Sequence, residues 1–202
     1  MKLKTGIYWG AGCGGCDVAV LDVHEKILLV AEKMELLFWP IAMDFKYEDV
    51  EKMEDGEFDI VMYNGAIRNS ENEEIAKLLR KKSKTMVALG ACAHLGGLIA
   101  MANFHTRESL LNRVYLETES TDNPDSVIPA EKWKKGEEEL ELPAFHSTVK
   151  TLDQVVDVDY YIPGCPPVPD QIVSALVQVW EGKLPGKGSV IGAGERTLCD
   201  EC

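Results

Sequence analysis

Short apolar runs of strand length alternate along this chain with stretches of helical spacing, and most of the runs close on a glycine turn. The runs are residues 4–9, 38–43, 59–63, 85–89 and 156–162. The first leads into Gly10, the third into Asn64-Gly65, the fourth into Gly90 and the fifth into Pro163-Gly164. Between the first two runs, Val20, Val23, Ile27, Val30, Ala31 and Met34 share one stripe and predict a helix within 17–36. Ser70, with Glu73 three residues on, predicts a capped helix over 70–83. Residues 92–103 read as helical, with Gly96-Gly97 allowing close packing, and Asp170 caps a last helix over 170–181. Strands alternating with helices require crossover connections, so the expected fold is α/β with a doubly wound parallel sheet covered on both faces. The 202 residues suit one such domain and bury a core without disulfides.

The cysteines fall where such a sheet makes its sites. Cys13 and Cys16 follow the first run, Cys92 the fourth and Cys165 the fifth. The loops after the carboxyl ends of parallel strands share one edge. Thiols more than seventy positions apart in sequence are thereby brought toward each other. Four convergent thiolates suit an iron–sulfur cluster or zinc. Glycines crowd them, Gly12, Gly90 and Gly164 among these, and lack of a side chain lets backbone N–H groups approach bulky inorganic sulfides. Cys165 precedes Pro166, as cysteine precedes proline in ferredoxin ligand runs.

Other readings stand beside this one. Residues 10–15 form a G-x-G-x-x-G after a strand and before a helix, the pattern of a nucleotide-binding turn, but that reading leaves Cys92 and Cys165 without a role. Cys13 and Cys16 fit a thiol–disulfide pair at a helix start. Paired with Cys199 and Cys202 they form CxxC…CxxC, with a gap far longer than zinc sites use. Cys92 and Cys165 taken singly also suit small core residues.

Three segments in order carry a family resemblance: Gly12-Cys13-Gly14-Gly15-Cys16, then Gly90-Ala91-Cys92-Ala93 with Gly96-Gly97, then Pro163-Gly164-Cys165-Pro166-Pro167-Val168-Pro169. They resemble the CxGC, GxCAxxGG and PGCPPxP segments of nickel–iron hydrogenase small subunits. The cytoplasmic type that does not reduce coenzyme F420 is the nearest in kind, and the iron–sulfur subunit of respiratory complex I is a more distant relative. The resemblance implies a flavodoxin-like domain over 1–182, with an inserted segment at about 118–145, and one 4Fe–4S cluster held by Cys13, Cys16, Cys92 and Cys165 with Gly12, Gly90 and Gly164 close to it. It implies an electron relay, with no bond chemistry of its own, between a large nickel–iron catalytic subunit and an acceptor module. The acceptor classes are heterodisulfide reductase, coenzyme F420, NAD(P) and ferredoxin modules. A complex-I-like subunit, or a related electron carrier without hydrogen chemistry, is the alternative. The two glycines between Cys13 and Cys16, where the complex I relatives have adjacent cysteines, point to the hydrogenase branch. Gly12 and Asn64 stand where many members carry an acid, which argues against a proton-transfer role at those two positions.

The remainder is less specific. Residues 183–202 read as a glycine-rich tail whose CxxC, Cys199 and Cys202, is the start of a further cluster region. The net charge of −13 opposes nucleic-acid binding, no run is long enough to span a membrane, and the absence of an export segment predicts a cytoplasmic location. His94 lies two residues past Cys92 and is placed to donate to a cluster sulfide, and Arg68 is expected to reach the same sheet edge. His24, His105 and His146 read as packed or solvated side chains, and the tryptophans as core or interface anchors.

Overall fold

The computed structural model describes residues 2–194 and 198–201; Cys202 of the expected terminal pair lies outside them. The elements run β1 (Leu3–Trp9), α1 (Gly15–Leu21), α2 (Ile27–Lys33), β2 (Met34–Phe38), α3 (Tyr47–Lys52), β3 (Phe58–Asn64), β4 (Ile67–Asn69), α4 (Ser70–Lys82), β5 (Ser83–Leu89) and α5 (Gly90–Leu95). They continue with α6 (Arg107–Asn112), β6 (Lys132–Lys135), β7 (Glu138–Glu141), β8 (Phe145–Lys150), β9 (Tyr160–Ile162), α7 (Pro169–Trp180), β10 (Ser189–Val190) and α8 (Leu198–Glu201). Six strands form one sheet in the order β10-β9-β5-β3-β1-β2, and every pairing in it is parallel. This is the flavodoxin-like order with an added edge strand, and the strand order reverses between β1 and β3.

Period-2 alternation assigns the strand side chains to two faces. Ile7, Ile60, Met62, Val87 and Leu89 pack with α1, α2 and α7 residues on one side. Tyr8, Val61, Tyr63, Met86 and Ala88 pack with α3, α4 and α5 residues on the other. A second, antiparallel pair, β4 with β8, and an exposed hairpin, β6 with β7, lie outside the main sheet. The hairpin falls within the expected exposed insertion. Among the described residues no helix is long and apolar enough to cross a membrane.

Several boundaries differ from expectation. The 17–36 stripe is real, since Val20, Val23, Val30 and Met34 share one core cluster, but it is not one helix. The chain breaks at His24, whose φ is +54°, and Met34 already pairs with Leu3. A continuous helix of that length would be about 30 Å long, and strands of this size span only about 23 Å. The second strand is therefore Met34–Phe38 and not 38–43; Pro40, which has no N–H to donate, follows it. Asn69, not Ser70, caps α4 by accepting from the Asn72 amide (2.8 Å); Ser70 Oγ accepts from the Ala144 amide instead. Val168 is the N-cap of α7, and Asp170 sits in its first turn, 2.6 Å from Lys26 Nζ. The helix expected over 92–103 ends at Gly96 (φ +84°), and a separate 3₁₀ segment follows. The fifth strand is short, Tyr160–Ile162, and within the glycine-rich stretch 185–194 Ser189 and Val190 pair with it and Ile191 is buried.

Candidate functional site

The carboxyl ends of β1, β3, β5 and β9 meet at one edge, and short backbone bonds hold them together. Gly10 N–H donates to Asn64 O (2.7 Å), Ala11 and Ala66 exchange amide bonds (2.8 and 2.7 Å), and Ala91 N–H donates to Gly164 O (2.6 Å). The pocket enclosed there is lined by Cys13, Cys16, Cys92 and Cys165 together with Gly12, Gly14, Gly15, Asn64, Gly65, Ala91, Gly164 and Pro166. The structure thus brings all four sequence-predicted thiols to one place. Gly12 and Gly164 line the same pocket. Gly90 backs it, because a Cβ there would overlap the Cys16 sulfur. Cys199 is exposed and does not line the pocket.

Each thiol is set by its own local geometry. Gly14 takes a left-handed conformation (φ +80°) that turns the chain into α1, and the Gly15 amide then donates to Cys13 Sγ at 3.4 Å. Cys16 lies in the first turn of α1; burial pushes its pKa up to about 12, with the charges of Cys92, Asp17, Cys13 and Cys165 adding to this. Cys92 is raised by burial and by the charges of Cys165 and Cys13, while the amides of Ile99 and Leu98 act the other way. Those amides are aimed back at the thiol by the turn at Gly97 (φ +52°), where a Cβ would stand 2.8 Å from Cys92 Sγ. Cys165 is exposed and joined to Pro166 by a cis peptide bond.

The thiols thus feel each other's charge, and ionising them together requires a cationic group between them. Thiolates are the donors of iron–sulfur clusters and of Cys₄ zinc sites, and among the described residues no histidine or carboxylate lines the pocket. Nor do any three described His, Cys, Asp or Glu side chains stand close enough to share one metal ion. The donor set and the glycine cradle fit a thiolate-held metal group.

The nucleotide reading fares differently. The glycines at 10 and 12 are used in packing: a Cβ on Gly10 would meet Tyr63 Oη at 2.6 Å, and one on Gly12 would meet Gly65 Cα at 3.3 Å. Sequence reasoning missed a buried polar network behind the pocket. Asp17, 2% exposed, accepts from Trp39 Nε1 (2.8 Å) and from Asn64 Nδ2 (3.0 Å), and Asn64 also donates to Tyr8 O (3.1 Å). Burial raises the Asp17 pKa despite these bonds. No sequence signal separates this acid from an ordinary first-turn helix acid.

Other expectations need correction or placement. Arg68 does not line the pocket; its guanidinium lies 4.2 Å from the Phe145 ring centre. The His94 ring packs against Tyr161, with centroids 4.3 Å apart. Trp39 is a core residue, Trp9 is half-exposed over Gly12 and Gly14, and Trp133 is exposed on the hairpin.

Known proteins share the family and fold of this chain. Residues 13–179 match the profile of the NADH ubiquinone oxidoreductase, 20 Kd subunit, family. The iron–sulfur subunit of an F420-non-reducing hydrogenase from Archaeoglobus profundus is 46% identical over all of this chain, which covers 63% of that relative. A like-named subunit of the F420-non-reducing hydrogenase of Methanothermobacter marburgensis is 35% identical, again over the whole chain and 59% of the relative. The chain therefore spans about three fifths of the length of these curated relatives. Among solved structures, a chain of an NAD⁺-reducing [NiFe]-hydrogenase in the H₂-reduced state superposes with a TM-score of 0.77 at 32% identity, covering 92% of this chain and 94% of that one.

Proposed function

Because the chain belongs to the family of the 20 kDa subunit of NADH:ubiquinone oxidoreductase, we propose that it is the electron-transfer subunit of a nickel–iron-hydrogenase-type complex, and that Cys13, Cys16, Cys92 and Cys165 hold a 4Fe–4S cluster. The observation that carries this reading is the convergence of four thiols from three strand ends on one glycine-lined pocket. The bound cluster supplies single-electron redox chemistry, and bond chemistry belongs to a large catalytic subunit.

The chain's own residues hold and tune the site. The amides of Gly15, Leu98 and Ile99 face thiol sulfurs and stabilise their negative charge. Gly90 and Gly97 leave room for Cys16 and Cys92. Among the described residues the pocket wall carries no acid: Gly12 and Asn64 occupy positions where many small subunits have one, and Asn64 is committed to Asp17 and Tyr8. Around the mouth, Cys13 and Cys165 are exposed, and Trp9 and Val168 are 39% and 62% exposed. Apolar surface around a redox edge suits an extensive interface with the large subunit. The acceptor module is of the heterodisulfide reductase, F420, NAD(P) or ferredoxin class, and the location is cytoplasmic. Cys199 and Cys202 belong to a further cluster region.

Iron and acid-labile sulfide analysis with electron paramagnetic resonance, on anaerobically purified complex, tests this. About four irons and four sulfides are expected for this site, with a reduced-state signal lost in Cys92→Ala and kept in Cys199→Ala. Zinc, or no metal, in the unaltered protein would refute it.

A further inference from the structure

A second cavity, of about 700 Å³, lies between α6 and the inserted segment, and shares no lining residue with the cysteine pocket. Its walls are mainly apolar, with Leu110, Val114 and Leu142 among them, and Val114 and Leu142 are more than half exposed. Two lining residues lead to an unpaired cation. Phe145 covers the guanidinium of Arg68, and Arg107 donates from Nη1 to Phe145 O at 3.2 Å. Arg68 is only 6% exposed, and neither of its terminal nitrogens has a protein acceptor among the described residues. Burial holds its pKa below the usual arginine range, and the charge of Arg107 adds to this.

A buried guanidinium without an acceptor is costly, and a ring face compensates only part of that. The chain carries 34 acidic residues, yet among the described ones none forms an ion pair with Arg68. Arg107 already pairs with Glu108 (3.3 Å) and Glu131 also lines the cavity, so the carboxylate missing among the described residues is the one for Arg68. The exposed apolar rim suits a protein contact.

We propose that this cavity receives a segment of a partner protein in which a carboxylate neighbours an apolar side chain. The apolar side chain fills the cavity between Leu110, Val114 and Leu142, and the carboxylate pairs with Arg68 as Phe145 swings aside. The site is separate from the cluster pocket, and its failure would leave the cluster reading untouched.

The test begins with the full chain in its native complex, with Leu142 replaced by the photoreactive residue benzoylphenylalanine, irradiation, and mass spectrometry of the cross-linked peptide. A peptide from another subunit with an Asp, Glu or C-terminal carboxylate within a residue or two of the cross-link is expected. That peptide is then synthesised and titrated against the full chain. Arg68→Met should weaken its binding at least about thirtyfold, as should amidation of its carboxylate. The same substitution should leave the unfolding midpoint of the unbound chain unchanged or raise it, because it removes an unpaired buried charge. A purely structural Arg68 would show the reverse: a lowered midpoint and unchanged peptide affinity. That result, the absence of a cross-link, or a cross-linked peptide that comes from this chain or lacks a carboxylate would overturn the proposal.

Discussion

Replacing Gly97 by alanine tests whether the turn after α5 exists to place Cys92. Two costs follow from the structure. The residue has φ +52°, a conformation that costs a side-chain-bearing residue about 1–2 kcal/mol. The added Cβ would stand 2.8 Å from Cys92 Sγ and 3.1 Å from the Cys92 backbone N and Cα, where ordinary contact begins at 3.4 Å. Crowding of that kind costs about 1–3 kcal/mol. The sulfur can rotate away, but rotation takes the thiol from the pocket and from the Leu98 and Ile99 amides. The backbone overlap remains in either case. Gly182→Ala is the control, because Gly182 has a similar φ of +65° and nothing within 4 Å of its added Cβ. Denaturant unfolding of the full chain should show a loss of about 2–5 kcal/mol for Gly97→Ala and about 1–2 kcal/mol for Gly182→Ala. Iron per chain in the anaerobically purified complex should fall in the first and hold in the second. Equal unfolding midpoints together with full iron in Gly97→Ala would refute the idea that this turn holds the Cys92 thiol.

Two further outcomes can be measured by unfolding. Asp159, 5% exposed, accepts from Arg80 Nη1 (2.6 Å) and the Met86 amide (2.8 Å) and pairs with Lys187. Burial pushes its pKa up, but Lys187, the Met86 amide and Arg80 outweigh this and hold it below the ordinary range. Its contribution is therefore present above the unfolded pKa of about 3.9 and lost as pH falls through the folded value; Asp159→Asn should cost about 3 kcal/mol at pH 7 and flatten the acid limb. Trp39→Phe removes one of the two side-chain donors to the Asp17 carboxylate and should cost about 2–3 kcal/mol in a denaturant titration.

The alternation of strand and helix patterns was legible because a parallel sheet needs crossovers and its central strands are buried on both faces. The placement of the cysteines followed from the same fact. Parallel strands send their carboxyl ends to one edge, so thiols after β1, β5 and β9 had to approach each other whatever their separation in sequence. The glycines around them were legible as a cradle, since only a residue without a side chain fits against Cys16 or Cys92.

The rest depended on contacts between distant segments. Periodicity runs through the break at His24 because residues on both sides of it face the same core. β10 is only two residues long and exists by pairing with β9, so no local preference could announce it. Asp17 became a buried carboxylate only because Trp39 and Asn64, from two other strand ends, deliver donors to it. Arg68 was drawn away from the cluster edge by the pairing of β4 with β8, which lays it against Phe145. Sequence alone determined which residue types line the sheet edge, because strand direction and side-chain period are local properties. Tertiary structure decided which polar groups were buried, paired or left unpaired, because a hydrogen-bond partner tens of residues away is chosen by packing and not by the neighbouring chain.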